Sequence, residues 1–171
     1  MTSALLDQRL ESPPLDPSPG AAANALRAAG IRVCCLELGD SGSAPHSGPP
    51  STAREALEAV VSADPRYRWE LTESGLLDLY PSPSVLDDEV PALPAAGKGL
   101  WSVLEDDLDL GGHGIELFME FRDGDGPPVA SDVPAGTLRS ALDELIAPTP
   151  GAVWHISGNP GAFYLTITAI A

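Results

Sequence analysis

Apolar positions along the chain recur with two periods, and the switches between them predict its elements. From residue 53, Ala53, Leu57, Val60 and Val61 share one helical face, while Arg54, Glu55, Glu58 and Ser62 share the other. Thr52 precedes this run with Glu55 three residues on, the pattern of a capping box, and Asp64-Pro65 stops it. The period then becomes two. Tyr67, Trp69 and Leu71 alternate with Arg66, Arg68 and Glu70, predicting a strand; 72–75 turns the chain, and 76–80 returns as the second arm of a hairpin.

The same pattern is written again 85 residues later. Residues 52–71 read TAREALEAVVSADPRYRWEL and 137–156 read TLRSALDELIAPTPGAVWHI. Thr52 matches Thr137, Arg54 Arg139, Ala56 Ala141, Leu57 Leu142, Pro65 Pro150 and Trp69 Trp154. Such self-similarity is the mark of a duplicated structural unit. The flanks agree: LDDEV at 86–90 echoes LDQRL at 6–10, and Gly114-Ile115 repeats Gly30-Ile31.

The remaining segments complete two similar halves. Residues 5–12 read as a short first strand, 13–20 as a Pro/Ser-rich turn, and 21–29 as an Ala-rich helix ended by Gly30. Ile31, Val33 and Cys35 then alternate with Arg32, Cys34 and Leu36 as in a strand, and 39–50 is a loop by composition. In the second half, 100–108 reads as a helix with Leu100, Leu104 and Leu108 on one side and Trp101 beside them. Ile115, Leu117, Met119 and Phe121 alternate with Glu116, Phe118, Glu120 and Arg122 as a strand. The D-G-D-G run at 123–126 is a tight turn, after which 129–133 pairs back as another short strand. A helix at 138–147 buries Leu138, Leu142, Leu145 and Ile146, and a hairpin at 152–157 and 163–170 closes the chain. The P-S-P-S run at 81–84 is the best linker, so the expected modules are 1–83 and 84–171. The expected fold is α+β: two tandem modules, each β-α-β-(β)-α-β-β, with two helices packed on small mixed sheets.

Composition narrows the function classes. Nine basic against 25 acidic residues give a net charge of −16. This opposes sequence-independent nucleic-acid binding and docking on anionic membranes, both of which need Lys and Arg. The excess is uneven: residues 1–83 hold 6 basic and 11 acidic residues, and 84–171 hold 3 and 14. No apolar run reaches transmembrane length, so no membrane insertion is expected. The start, MTSALLDQRLES, lacks the basic and apolar regions of a signal peptide, so the sequence reads as unexported and cytoplasmic; a chain already trimmed of its signal would read the same. Cys34 and Cys35 are adjacent, point to opposite faces of a strand, and are expected reduced and partly buried.

Two helices between small sheets, with Thr137, Leu138, Ala141 and Leu142 opening the second helix, resemble the secretin and TonB short N-terminal (STN) domain. In that family the second helix begins Thr-Leu-x-x-Ala-Leu and leads into a strand and a hairpin, and the helices are flanked by a two-stranded and a three-stranded sheet. The first copy places Thr52, Ala53, Ala56 and Leu57 there, with Ala53 in place of the usual Leu. The resemblance covers nearly the whole chain twice. It implies protein–protein contacts in the bacterial periplasm. The run D-P-R-Y-R-W at 64–69 also resembles bacterial proteins of this two-module kind.

Candidate chemistry is sparse. G-D-S-G at 39–42 resembles the nucleophile motif of trypsin-like proteases, but no histidine precedes Ser41 to serve as base. The D-G-D-G run fails the calcium-loop spacing, since its sixth position is Pro128 rather than Gly. His46, His113 and His155 have no metal-ligand spacing and read as surface residues. Trp69 and Trp154 read as core anchors behind the second helix, and Arg54 and Arg139 as salt-bridge partners for a neighbouring segment. No catalytic residue, cofactor or metal site is expected. Acidic residues Glu105, Asp106, Asp107, Asp109, Glu116 and Glu120 form the candidate interaction surface. A solvated helix face accounts for Glu105, Asp106, Asp107 and Asp109 more simply than a metal site.

The leading expectation is therefore a non-enzymatic interaction or adaptor protein. Its partner would be another protein, either basic or adding a strand to an open sheet edge. The alternative is a small-molecule or metal-binding protein, or a hydrolase, with Asp64, Arg68, Glu105, His113 and His155 converging between the modules.

Overall fold

A computed structural model describes residues 2–41, 48–118 and 124–169 and is mixed α+β. The chain divides into two compact units at Ser82–Pro83.

The first unit contains α1 (Thr2–Leu6), α2 (Pro19–Ala28), β1 (Val33–Leu38), α3 (Ala53–Ala63), β2 (Tyr67–Leu71) and β3 (Leu77–Pro81). Ser18 caps α2 by accepting from the Ala21 N–H, with Pro19 in the first turn, where its missing donor costs nothing. At the other end Gly30 adopts φ 81°, and Ile31 and Gly30 donate to Leu26 and Arg27. This Schellman closure turns the chain straight into β1. Ala22, Ala23 and Leu26 of α2 and Ala53, Ala56, Leu57 and Val60 of α3 join Val33, Cys35, Leu77 and Leu79 in one buried core. Its strands are ordered β2-β3-β1. β1 lies parallel to β3 (Val33 opposite Leu77) and β2 antiparallel to it (Trp69 opposite Leu79), so α3 is the crossover between parallel neighbours.

The second unit contains a 3-10 turn at Val85–Asp87, β4 (Glu89–Val90), α4 (Leu100–Ser102), a 3-10 turn at Leu110–His113, β5 (Ile115–Leu117), β6 (Gly136–Thr137), α5 (Leu138–Ile146), β7 (Ala152–Asn159) and β8 (Ala162–Ala169). Its main sheet runs β7-β8-β5, with β5 parallel to β8 (Leu117 opposite Leu165) and β7 antiparallel to it (Trp154 opposite Ile167). β4 and β6 pair antiparallel, Glu89 opposite Thr137. Leu138, Ala141, Leu142, Leu145 and Ile146 bury one face of α5, as its period predicts.

Several expectations are corrected. The opening strand at 5–12 is absent: Thr2–Leu6 is helical, and only Arg9 bridges, to Thr52. Its echo at 86–90 is a 3-10 turn and a two-residue strand. Short runs with two or three apolar residues fit a helical turn as well as a strand. The alternation at 31–36 does not divide inside from outside, because Val33, Cys34, Cys35 and Leu36 are all buried. Neither cysteine is in a disulfide, both are wholly buried, and burial pushes Cys35 up to about 12. Val61 is half-buried rather than part of the α3 core face.

The expected helix at 100–108 keeps a regular turn only to Ser102 and continues as a π turn over Val103–Asp107, with the Leu108 N–H reaching the Val103 carbonyl at 2.8 Å. In this wider turn Val103, Leu104 and Leu108 are all buried. Segment 129–133 pairs with residues 93–98 instead of folding back on the preceding strand: Val133 and Leu93 exchange hydrogen bonds, and Val129 donates to Lys98. Pro127 and Pro128 have no N–H to offer a returning hairpin. The strand expected through Met119 and Phe121 is observed at Ile115–Leu117; Met119, Glu120, Phe121, Arg122 and Asp123 lie outside the described residues, as does His46.

Candidate functional site

Chemistry in the first unit gathers where α3 runs into β2. Asp64 ends α3 and is buried, and its carboxylate takes the Arg66 guanidinium on both oxygens, with Nη2 to Oδ2 at 2.7 Å. Asp40, on the turn after β1, approaches the other side of Arg66 at 3.2 Å. The Arg66 hydrogen bonds hold the Asp64 carboxyl below the usual carboxylate range, against its burial, and the two carboxylates raise Arg66. Beside them the Tyr67 hydroxyl accepts from the Leu38 N–H at 2.9 Å, and burial pushes this phenol up. One guanidinium is shared by two carboxylates, and the group ties the end of β1 to the start of β2.

β2 itself is the edge of its sheet. The Ser82 N–H donates to Arg66 and the Thr72 N–H to Leu76, so even-numbered residues bond to β3. In an antiparallel ladder the intervening residues then turn their N–H and C=O outward. Those are Trp69 and Leu71, while the Arg68 and Glu70 side chains are exposed. Charged side chains on an edge discourage indiscriminate pairing and leave the backbone available.

The acidic residues of the second unit do not form one surface of free charge. Asp107 pairs with Lys98 at 2.8 Å, and Asp106 accepts from the Ser102 hydroxyl at 3.2 Å. Asp109, in the left-handed region at φ 52°, caps the following turn by accepting from the Gly112 N–H. Glu105 is exposed and also has an interaction partner. Glu116 is exposed on β5, and among the described residues its carboxylate makes no hydrogen bond or ion pair. Glu120 lies outside the described residues.

The residues of the alternative site have local roles. Asp64 is committed to Arg66, and Arg68 is an exposed side chain on β2. His113 is half-buried, with Nδ1 2.9 Å from Asp88, and His155 is half-buried on β7, so neither is a plain surface residue. Arg54 meets the salt-bridge expectation through Asp7 at 3.3 Å. Trp154 is fully buried and donates from Nε1 to the buried Asp143 at 2.8 Å; Trp69 is partly buried against the core of its unit.

Sequence reasoning passed over two features. The Asp143–Trp154 bond joins residues eleven apart, and Asp143 looked like any acidic helix residue. Tyr164 and Phe118 are exposed aromatics at 49% and 58%. The signal for Tyr164 was present, since Phe163 and Leu165 alternate inward around it.

In comparisons with protein-family models, curated proteins and solved structures, nothing matches this chain. Among the described residues no helix is long and apolar enough to cross a membrane.

Proposed function

We propose that the chain is a tandem duplication of one small α+β module and acts as a non-enzymatic protein-binding adaptor, taking a partner's strand on the edge of β2. The duplication is supported by register as well as by sequence. Placing Trp69 on Trp154 puts their partners Leu79 and Ile167 together, an offset of 88; placing Val33 on Leu117 puts Leu77 and Leu165 together, again 88. Both units order their strands second-third-first. The Arg9–Thr52 bridge corresponds to Glu89–Thr137, and the bond from Ala53 to Gln8 corresponds to that from Leu138 to Asp88. Gly30 and Gly114 both sit at positive φ before the first strand of their sheets. The two-stranded β4–β6 pair also supports the STN resemblance, although the opening strand is reduced to a bridge in the first unit.

The observation that carries the binding role is the outward-turned backbone of Trp69 and Leu71. Strand addition draws its affinity from such main-chain groups. Leu71→Pro tests it, because the lost N–H points away from β3 and edge strands tolerate Pro there. Tagged wild-type chain and Leu71→Pro are used to capture proteins from host extract, and the captured bands are identified by mass spectrometry. The expected result is a specific protein retained by wild type and lost from Leu71→Pro, with circular dichroism unchanged. Equal capture by both chains removes the edge from the binding role.

A further inference from the structure

On the main sheet of the second unit, Ile115 of β5 and Phe163 and Leu165 of β8 are buried on one side. The other side carries Glu116 opposite Tyr164, and Tyr164 opposite Ser157 of β7. Phe118 follows β5, held by its N–H to the Leu165 carbonyl at 2.8 Å, and by alternation its ring falls on the same side as Glu116. Phe118 and Tyr164, two of the three exposed large apolar side chains among the described residues, thus flank one exposed carboxylate. That carboxylate differs from Asp88, Asp106, Asp107 and Asp109, all of which have protein partners.

We propose that Glu116, Phe118 and Tyr164 take an arginine-containing segment of a partner protein. The proposal rests on the protein-binding reading above and adds a second contact surface to it. Charge complementarity identifies the occupant: residues 84–171 hold 14 acidic and 3 basic residues, which favours a cationic segment. The rings decide between the two cations. A guanidinium is planar and weakly hydrated, so it stacks on Tyr or Phe while forking onto a carboxylate; an ammonium does this less well. Glu116 and Tyr164 are register partners, close enough for one guanidinium to meet both.

The test uses the full chain and fluorescein-labelled decapeptides carrying three Arg, three Lys or three Glu in a Gly/Ser background. Binding is read by fluorescence anisotropy at roughly physiological salt. The Arg peptide should bind severalfold more tightly than the Lys peptide, and the Glu peptide not at all. Tyr164→Ala and Phe118→Ala should each weaken the Arg peptide about tenfold. Glu116→Gln should weaken it severalfold, and Tyr164→Phe should retain most of the binding because it keeps the ring. Neutralising Glu105 and Asp106 together should change it less than twofold. Thermal melts of each variant confirm folding, and Glu116→Gln, at an exposed side chain, set against the Glu105 and Asp106 neutralisation, still tests the face if the alanine variants melt early. Equal binding of Arg and Lys peptides, weakened alike by every lost carboxylate, means diffuse charge attraction and overturns the proposal; so does absence of binding. A host protein captured equally by wild type and Tyr164→Ala, but lost from Leu71→Pro, removes this face and leaves the adaptor reading standing.

Discussion

Arg66 is held between Asp64 and Asp40, and the arrangement makes a pH-dependent contribution to stability. The folded-state pKa of Asp64 is depressed, first by the Arg66 hydrogen bonds. Its stabilisation is therefore complete above the unfolded pKa of about 3.9 and is lost as pH falls through the lower folded value. Urea midpoints of wild type and Asp64→Asn should differ most near neutral pH and converge below about pH 4. A gap that stays constant down to about pH 2 contradicts this origin. Asp64-Pro65 was legible as a helix stop, but its pairing with Arg66 was not. That pair depends on β2 turning the guanidinium back over the end of α3, and spacing alone does not encode side-chain direction. The Asp143–Trp154 bond was hidden for the same reason, since a buried Trp N–H finds whatever acceptor the packing brings.

The two helices that follow the repeated threonines show how far local rules reach. Thr52 and Thr137 accept from the N–H groups of Glu55 and Ser140 at 3.2 Å in each case. In the second unit Ser140 returns the bond to the Thr137 N–H, completing a capping box. In the first, Glu55 reaches back to the Ser51 N–H instead. Thr52→Ala and Thr137→Ala should each cost about 1 kcal/mol in denaturant unfolding. A change below about 0.3 kcal/mol at either site would mean that its cap is not carrying the helix start. Elements with a polar face, α3, α5, β2 and the β7–β8 hairpin, were readable from their period. β1 was read as an alternating strand, but Val33, Cys34, Cys35 and Leu36 are buried on both of its faces, and such a strand has no alternation to display. The π turn after α4 was also invisible, since its extra residue serves the packing of Val103, Leu104 and Leu108.

At the scale of the whole molecule the net charge of −16 opposes compactness through self-repulsion. Only a few described cations offset it in exposed pairs, among them Arg54–Asp7 and Lys98–Asp107, and such pairs contribute little. Screening should therefore stabilise the fold. The melting temperature is expected to rise by several degrees between about 10 mM and about 300 mM NaCl; a fall would show that the ion pairs outweigh the repulsion. The sequence by itself determined that the chain is α+β and where α3, α5 and the β2–β3 and β7–β8 hairpins lie, because periodicity and caps are local consequences of backbone geometry. It also carried the matching segments 52–71 and 137–156 on which the proposed duplication rests. Tertiary structure decided which strands are central, which carboxylates are spent on neighbours, and that Glu116 and Tyr164 are paired across β5 and β8. Those outcomes follow from pairing between segments tens of residues apart, and strand register, unlike strand period, is set only when the partners meet.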